Sequence, residues 1–162
     1  FTDSPVYVAG FGVATDHPYL HEKQDYLGLL ASRLASARAY EMAGIDPKQL
    51  DCAEVHDCFT ITEILDIEDL GFCEKGSGGA FSAAGETAIG GSMPVNTSGG
   101  LLAKGHPIGA TGIAQIIELW WQLREQAGPR QVALKNGYAL QHNVGGRGSG
   151  VSVVNILTRN AK

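Results

Sequence analysis

His106 is flanked by Gly105 and Pro107 in a glycine-rich run, 96–112, which leads into an apolar stretch beginning near Ile108. Glycine lets a backbone turn tightly and come close to a ligand. The helix expected after this run presents free N–H groups and the positive end of its dipole at the same place. A positive imidazolium is disfavoured there, so His106 should stay neutral and able to take a proton, the state a general base needs. A histidine that only holds a glycine-rich turn explains the same residues equally well.

A second group lies at Glu54-Val-His56-Asp57-Cys58-Phe59. Cys58 directly precedes a helix expected from Phe59, where the dipole favours a thiolate. The plainer reading is a small buried residue at a strand–helix junction. Asp57 could orient His56 or cap that helix, and capping is the simpler account. A third group, Leu140-Gln-His-Asn143-Val-Gly145-Gly, places polar side chains and glycines together near the C-terminus. His142 is a weak candidate for a polar contact there.

The run Asn96-Thr-Ser-Gly-Gly-Leu-Leu-Ala-Lys-Gly-His106-Pro-Ile-Gly-Ala-Thr-Gly112 resembles the histidine signature of the thiolase family at every fixed position. The His56–Phe59 block resembles the His-Asp-Cys-Phe loop of sterol-carrier-protein-type thiolases, and the 140–146 block resembles their C-terminal loop. The resemblance covers about residues 6–157 and implies the C-terminal half of a thiolase. It implies His106 as the residue that activates a nucleophile and lines an oxyanion hole. It makes Cys58 the acid/base that handles the α-proton. His56 stands where most thiolases have an asparagine that orients a water, and its N–H can donate the same hydrogen bond. Asn143, at the position of the usual C-terminal cysteine, shapes the pocket floor with Gly145, and Gly105 and Pro107 complete the pocket. The nucleophilic cysteine belongs to the N-terminal half, and none of Cys52, Cys58 and Cys73 stands in a matching context.

Substrates implied are acyl-CoA and 3-ketoacyl-CoA, with coenzyme A thioester as reactant and no further cofactor or metal. The implied partner is the N-terminal half, on the same or a separate polypeptide, in a homodimer or tetramer of the full enzyme. Two other functions stay open. One is a thiolase-like retro-aldolase acting on CoA esters with a partner protein, for which Tyr138 is the relevant residue. The other is a non-catalytic module retaining the fold.

The 162 residues allow one domain with a sizeable core. A formal charge of −5, with no Lys/Arg stripe, argues against nucleic acid as the main partner. No apolar run approaches the roughly 18–20 residues of a membrane span, and no signal-peptide pattern opens the chain. The three cysteines carry no metal-type pairing and suggest a reducing compartment. A cytoplasmic location is expected, or a peroxisomal one in a eukaryote, although Asn160-Ala-Lys162 is not the usual signal. Phe1 at the start suggests a fragment, a processed product or a subdomain of something longer.

These groups need elements to hold them. Residues 6–14 read as a buried strand. Residues 25–43 read as a helix with Leu27, Leu30, Leu34 and Ala37 in phase, ending at Gly44. A short strand at 53–55 ends at His56. A helix at 59–70, with Ile61, Ile64 and Leu65 on one face, closes at Gly71. Residues 72–94 lack periodicity and read as a long functional loop. Residues 108–126 are apolar nearly all round and predict a helix buried on several sides, Trp120 and Trp121 included. Strands are expected at 131–140 and 150–157, joined through the glycine-rich 142–149 segment. The fold class is α/β: a five-stranded, mixed, mostly parallel sheet with helices on both faces and a final hairpin.

Overall fold

The computed structural model describes residues 2–146 and 150–161, so residues 147–149 of the expected glycine-rich connection lie outside the described part. Strand β1 (Tyr7–Thr15) is followed by helix α1 (Leu30–Ala43), strand β2 (Cys52–Glu54) and helix α2 (Thr60–Asp69). Short helices α3 (Gly78–Ala83) and α4 (Gly100–Lys104) precede α5 (Thr111–Leu123), and strands β3 (Tyr138–Gly145) and β4 (Val151–Thr158) finish the chain.

The sheet order is β1-β4-β3-β2. Only β2 and β3 are parallel, while β4 runs antiparallel to both its neighbours. The expected mostly parallel sheet is therefore corrected. The β3–β4 hairpin inserts β4 beside β1, so the strand at the centre opposes both flanking strands. Nor are there five strands among the described residues. Between residue 94 and α5 the sheet gains only a single parallel bridge of Val95 with Ala53. Strand β3 also starts later than residue 131, because Lys135, Asn136 and Gly137 turn around Asp51, each donating its backbone N–H to that buried carboxylate.

Side chains alternate across the sheet. Ala53, Leu140, Val154 and Ile156 face α1 and α2 and form the larger core with Ala35, Ala39, Ile67 and Leu70. Cys52, Ala139 and Leu157 face α5 and pack on Leu119 and Leu123. The α1 contact is unusually close. A Cβ on Gly12 would sit 2.0 Å from the Ala35 carbonyl oxygen, and one on Gly10 would sit 2.3 Å from that of Ala39.

The helices do not bury the faces their large apolar residues mark. In α1 the inner face is Ala31, Ser32, Ala35, Ser36, Ala39 and Ala43, whereas Leu30, Leu34 and Ala37 are exposed, as is Leu27 ahead of the helix. In α2 Asp66, Ile67 and Asp69 turn inward and Ile61 outward. The contrast is strongest in α5, where Gln115, Glu118 and Gln122 are buried while Ile113, Ile116, Ile117, Trp120 and Trp121 are exposed. The expectation that this apolar helix is buried on several sides is thus corrected. The described residues cover only the side turned to the sheet, where Leu119 and Leu123 lie beside Gln115, Glu118 and Gln122.

Helix boundaries also answer to distant residues. Helix α1 begins at Leu30, not near Asp25, because the Leu29 N–H is held at 2.5 Å by the buried Asp69 carboxylate at the end of α2. A negative charge there complements the dipole. Gly44 and Gly71 end their helices in the left-handed region, at φ 70° and 82°, where glycine carries no steric penalty.

Candidate active site

The carboxyl ends of parallel strands in α/β sheets are the usual place for a ligand crevice, and the polar residues gather there. The β2–β3 register pairs Glu54 with Gln141, and two residues further on His56 meets Asn143. The Asn143 Nδ2 and His56 Nδ1 are 2.9 Å apart. His106 arrives from the loop before α5, its ring edge-on to that of His56 with centroids 4.8 Å apart. A cleft of about 430 Å³ is lined by His56, His106, Ile108, Thr111, Asn143 and Gly145, together with Val151 and Val153.

Several anchors place His106. Asn96 adopts a left-handed φ of 53°, and its side chain accepts from the Val55 N–H at 2.8 Å and donates to Glu63 at 2.9 Å. The fully buried Glu54 carboxylate accepts from the Ser98 N–H and hydroxyl and pairs with Lys104 at 3.2 Å. Burial pushes the Glu54 and Glu63 carboxyls up, opposed by Lys104 at the first and by the Asn96 hydrogen bond at the second. Asp57 accepts from the backbone N–H groups of Leu101 and Leu102 at 2.6 and 3.4 Å. It therefore caps a helix, as the simpler sequence reading held, but the helix is α4 rather than α2. Gly100 packs so tightly on Asp57 that a Cβ would lie 2.0 Å from the carboxylate oxygen.

Gly105 and Pro107 stand behind the cleft rather than on its lining. The Gly105 N–H closes α4 on the Leu101 carbonyl at 2.9 Å. The Pro107 carbonyl accepts from the Ala110 and Thr111 N–H groups and from the Thr111 hydroxyl at 3.1 Å. That hydroxyl also lies 2.7 Å from His106 Nδ1. His56 is nearly buried, and its pKa falls to about 4. Desolvation is the main cause, followed by the positive charge His106 and His142 could carry, with Asp57 opposing. His56 is therefore uncharged at neutral pH.

The structure does not bring every sequence-predicted residue together. Cys58 sits two residues before α2, half-buried, with its sulfur 3.7 Å from the Thr62 hydroxyl and outside the cleft lining. His142 faces the opposite side of the sheet from its neighbour Asn143. It is sealed in the larger core, 2.9 Å from the Ser32 hydroxyl and 3.5 Å from Asp66. Tyr138 packs against that core at the far end of β3. Cys52 is fully buried against α5, and burial pushes its thiol up.

Sequence reasoning missed Gln115, Gln141, Asn155 and Thr111. The only available signal was period: polar 141, 143 and 155 lie on one face of otherwise apolar strands, and 115, 118 and 122 lie on one side of α5.

The fold and site define an α/β domain with a two-histidine cleft at the ends of paired parallel strands. Residues 12–159 match the family described as "Thiolase C-terminal domain-like", and the chain belongs to the thiolase family as its C-terminal domain. It is 48% identical over 159 residues to an acetyl-CoA acetyltransferase of Methanothermobacter thermautotrophicus, covering 98% of this chain and 41% of that protein. It is 45% identical over 142 residues to sterol carrier protein 2 of Oryctolagus cuniculus, covering 86% and 26%. The chain thus spans less than half the length of these relatives. A solved structure named Ltp2-ChsH2(DUF35) aldolase superposes with a TM-score of 0.82 over 98% of this chain and 41% of that one, at 24% identity, a likeness of fold. No helix among the described residues is long and apolar enough to cross a membrane.

Proposed function

We propose that this chain is the C-terminal half of an enzyme that transfers acyl groups between coenzyme A thioesters, by thiolytic cleavage of 3-ketoacyl-CoA or the reverse Claisen condensation. The carrying observation is where the cleft opens. Asn143 and Val153 lie on the α5 side of the sheet, and beside them Phe11, Val13 and Val151 are exposed on the same side. The histidines thus face a surface left uncovered by the described residues, onto which a second half would bring the nucleophilic cysteine. Assembly as a homodimer or tetramer of the complete protein belongs to the same reading.

In this reading the Thr111 hydroxyl donates to the Pro107 carbonyl and accepts from His106 Nδ1–H, leaving Nε2 bare to take the nucleophile's proton. The resulting thiolate attacks the 3-keto carbon, and the C2–C3 bond breaks with its electron pair going to C2. Cys58 lies outside the cleft lining but two residues beyond His56 in the chain. It is the group the resemblance assigns to protonate that carbon once substrate and the second half complete the site, and free coenzyme A then displaces the acyl group from the nucleophile. His56 supplies an N–H to developing negative charge on oxygen, with Asn143 and Gly145 forming the floor. The lyase alternative gains no residue here, since no tyrosine lines the cleft.

The test uses the complete enzyme. His106→Ala should abolish thiolysis, with near-normal turnover overturning its role. Cys58→Ala should stop deuterium exchange at the α-carbon of acetyl-CoA while acyl transfer to the nucleophile persists. Unchanged exchange would place the acid/base elsewhere. Acetoacetyl-CoA should leave an acetyl adduct outside residues 1–162, and its absence everywhere would favour the lyase or a non-catalytic module.

A further inference from the structure

His56 can serve as a donor only if its proton sits on the nitrogen that faces the cleft, and the hydrogen bonds behind it determine which nitrogen that is. Gln115 is fully buried, and its Nε2 lies 2.9 Å from the Val55 carbonyl oxygen and 3.3 Å from that of His142. Both partners are backbone acceptors that cannot donate, so the Gln115 amide has one orientation and its Oε1 must accept. Among the described residues the only donor offered to it is Gln141 Nε2 at 2.9 Å. That same NH₂ group reaches Asn143 Oδ1, also at 2.9 Å, while Gln141 Oε1 accepts from Asn155 Nδ2 at 2.7 Å. With its oxygen committed, Asn143 presents Nδ2 to His56 Nδ1. His56 Nδ1 must therefore accept.

We propose that Gln115 and Gln141 are positioning residues, which transmit the fixed polarity of the Val55 and His142 carbonyls through Asn143 and hold neutral His56 as the Nε2–H tautomer. The Nε2 atom has no protein partner among the described residues, and His56 lines the cleft, so its N–H is left for a ligand oxygen. A buried amide chain with every group paired has a single low-energy polarity, because reversing one amide would set two donors or two acceptors face to face. The cleft then presents one fixed N–H, from His56, opposite His106. The functional meaning rests on the acyl-transfer reading, but the tautomer itself does not.

The experiment is a long-range ¹⁵N–¹H correlation spectrum of the complete enzyme, labelled in histidine, at pH 7. The His56 signals are assigned by their loss in His56→Asn. Wild-type His56 should show a pyrrole-like Nε2 and a pyridine-like Nδ1. Gln141→Met removes the amide that pins Asn143, and both His56 nitrogens should move to averaged shifts while the His17 and His21 signals stay in place. Asn143→Asp offers only acceptors to Nδ1 and should invert the tautomer, with kcat lowered on the order of 10²-fold through loss of the donor. A wild-type proton on Nδ1, or unchanged His56 shifts in Gln141→Met, would overturn the relay. The wild-type spectrum decides even if the variants fail to fold. An inactive enzyme with the expected shifts would sink the function and leave the relay standing.

Discussion

Between pH 4 and 6.5 the charge on His56 differs between the folded and unfolded chain, and stability should record that difference. Folded His56 titrates near 4, below its ordinary 6.5, mainly through burial. In that window the unfolded chain binds a proton that the folded chain refuses, so acidification favours unfolding and stability rises with pH up to about 6.5. The buried carboxyls of Glu54, Glu63 and Asp66, all pushed up, contribute in the opposite sense. Comparison with a variant isolates the imidazole. Urea unfolding at pH 4.5 and 7 should show a smaller acid loss in His56→Asn than in the parent. An identical loss in both would mean that His56 is not the proton-refusing group.

At the scale of elements, the site depends on contacts that tie loops to strands and helices to strands. Asp57→Ala removes the cap of α4 and should cost about 1–2 kcal/mol. Hydrogen exchange at the Leu101 and Leu102 amides should accelerate while amides of α1 stay protected. Uniform acceleration would show that Asp57 supports the whole fold rather than the loop carrying His106. Gly12→Ala drives a Cβ into the Ala35 carbonyl and should cost about 1–3 kcal/mol by overpacking. That appears as a lower urea midpoint with unchanged slope. A neutral result would mean that α1 shifts off β1 without cost.

For the whole molecule, the exposed apolar surface predicts association. Ile113 is 62% and Ile117 41% exposed on α5, and Phe11 is 52% exposed on the same side of the sheet in β1, and large exposed apolar side chains of this kind mark interfaces. Residues 1–162 alone should self-associate with rising concentration in light scattering. Ile113→Lys with Ile117→Lys should suppress this, and in the complete enzyme should impair assembly of the two halves. A chain that stays monomeric at high concentration would count against a covered α5.

Period, punctuation and motif made much of this legible in the sequence. A strand near 6–14, the helix ends at Gly44 and Gly71, the final hairpin and the family itself follow from local steric rules and from the 96–112 run. That strand is not buried as expected, however: β1 is an edge strand with Val8, Phe11 and Val13 exposed. The same run announced His106, and the 54–59 and 140–146 blocks announced His56 and Asn143. The inward faces of the helices were not legible, because α1 approaches the glycines of β1 closely enough to admit only Ala and Ser, and α5 turns Gln115 inward to the Val55 and His142 carbonyls and Glu118 and Gln122 to Thr97 and Arg130 in the adjoining loops. Apolar periodicity marks surfaces that some partner covers, without saying which partner. The Asp69 cap on α1 and the Asp57 cap on α4 were likewise set by residues 40 and 44 positions away, and strand direction by pairings such as Tyr7 with Thr158, from opposite ends of the chain. The sequence determined which groups can exchange a proton, since that is a property of side-chain type. Tertiary structure decided which of their atoms face the cleft, since that depends on hydrogen bonds between residues brought together only by folding.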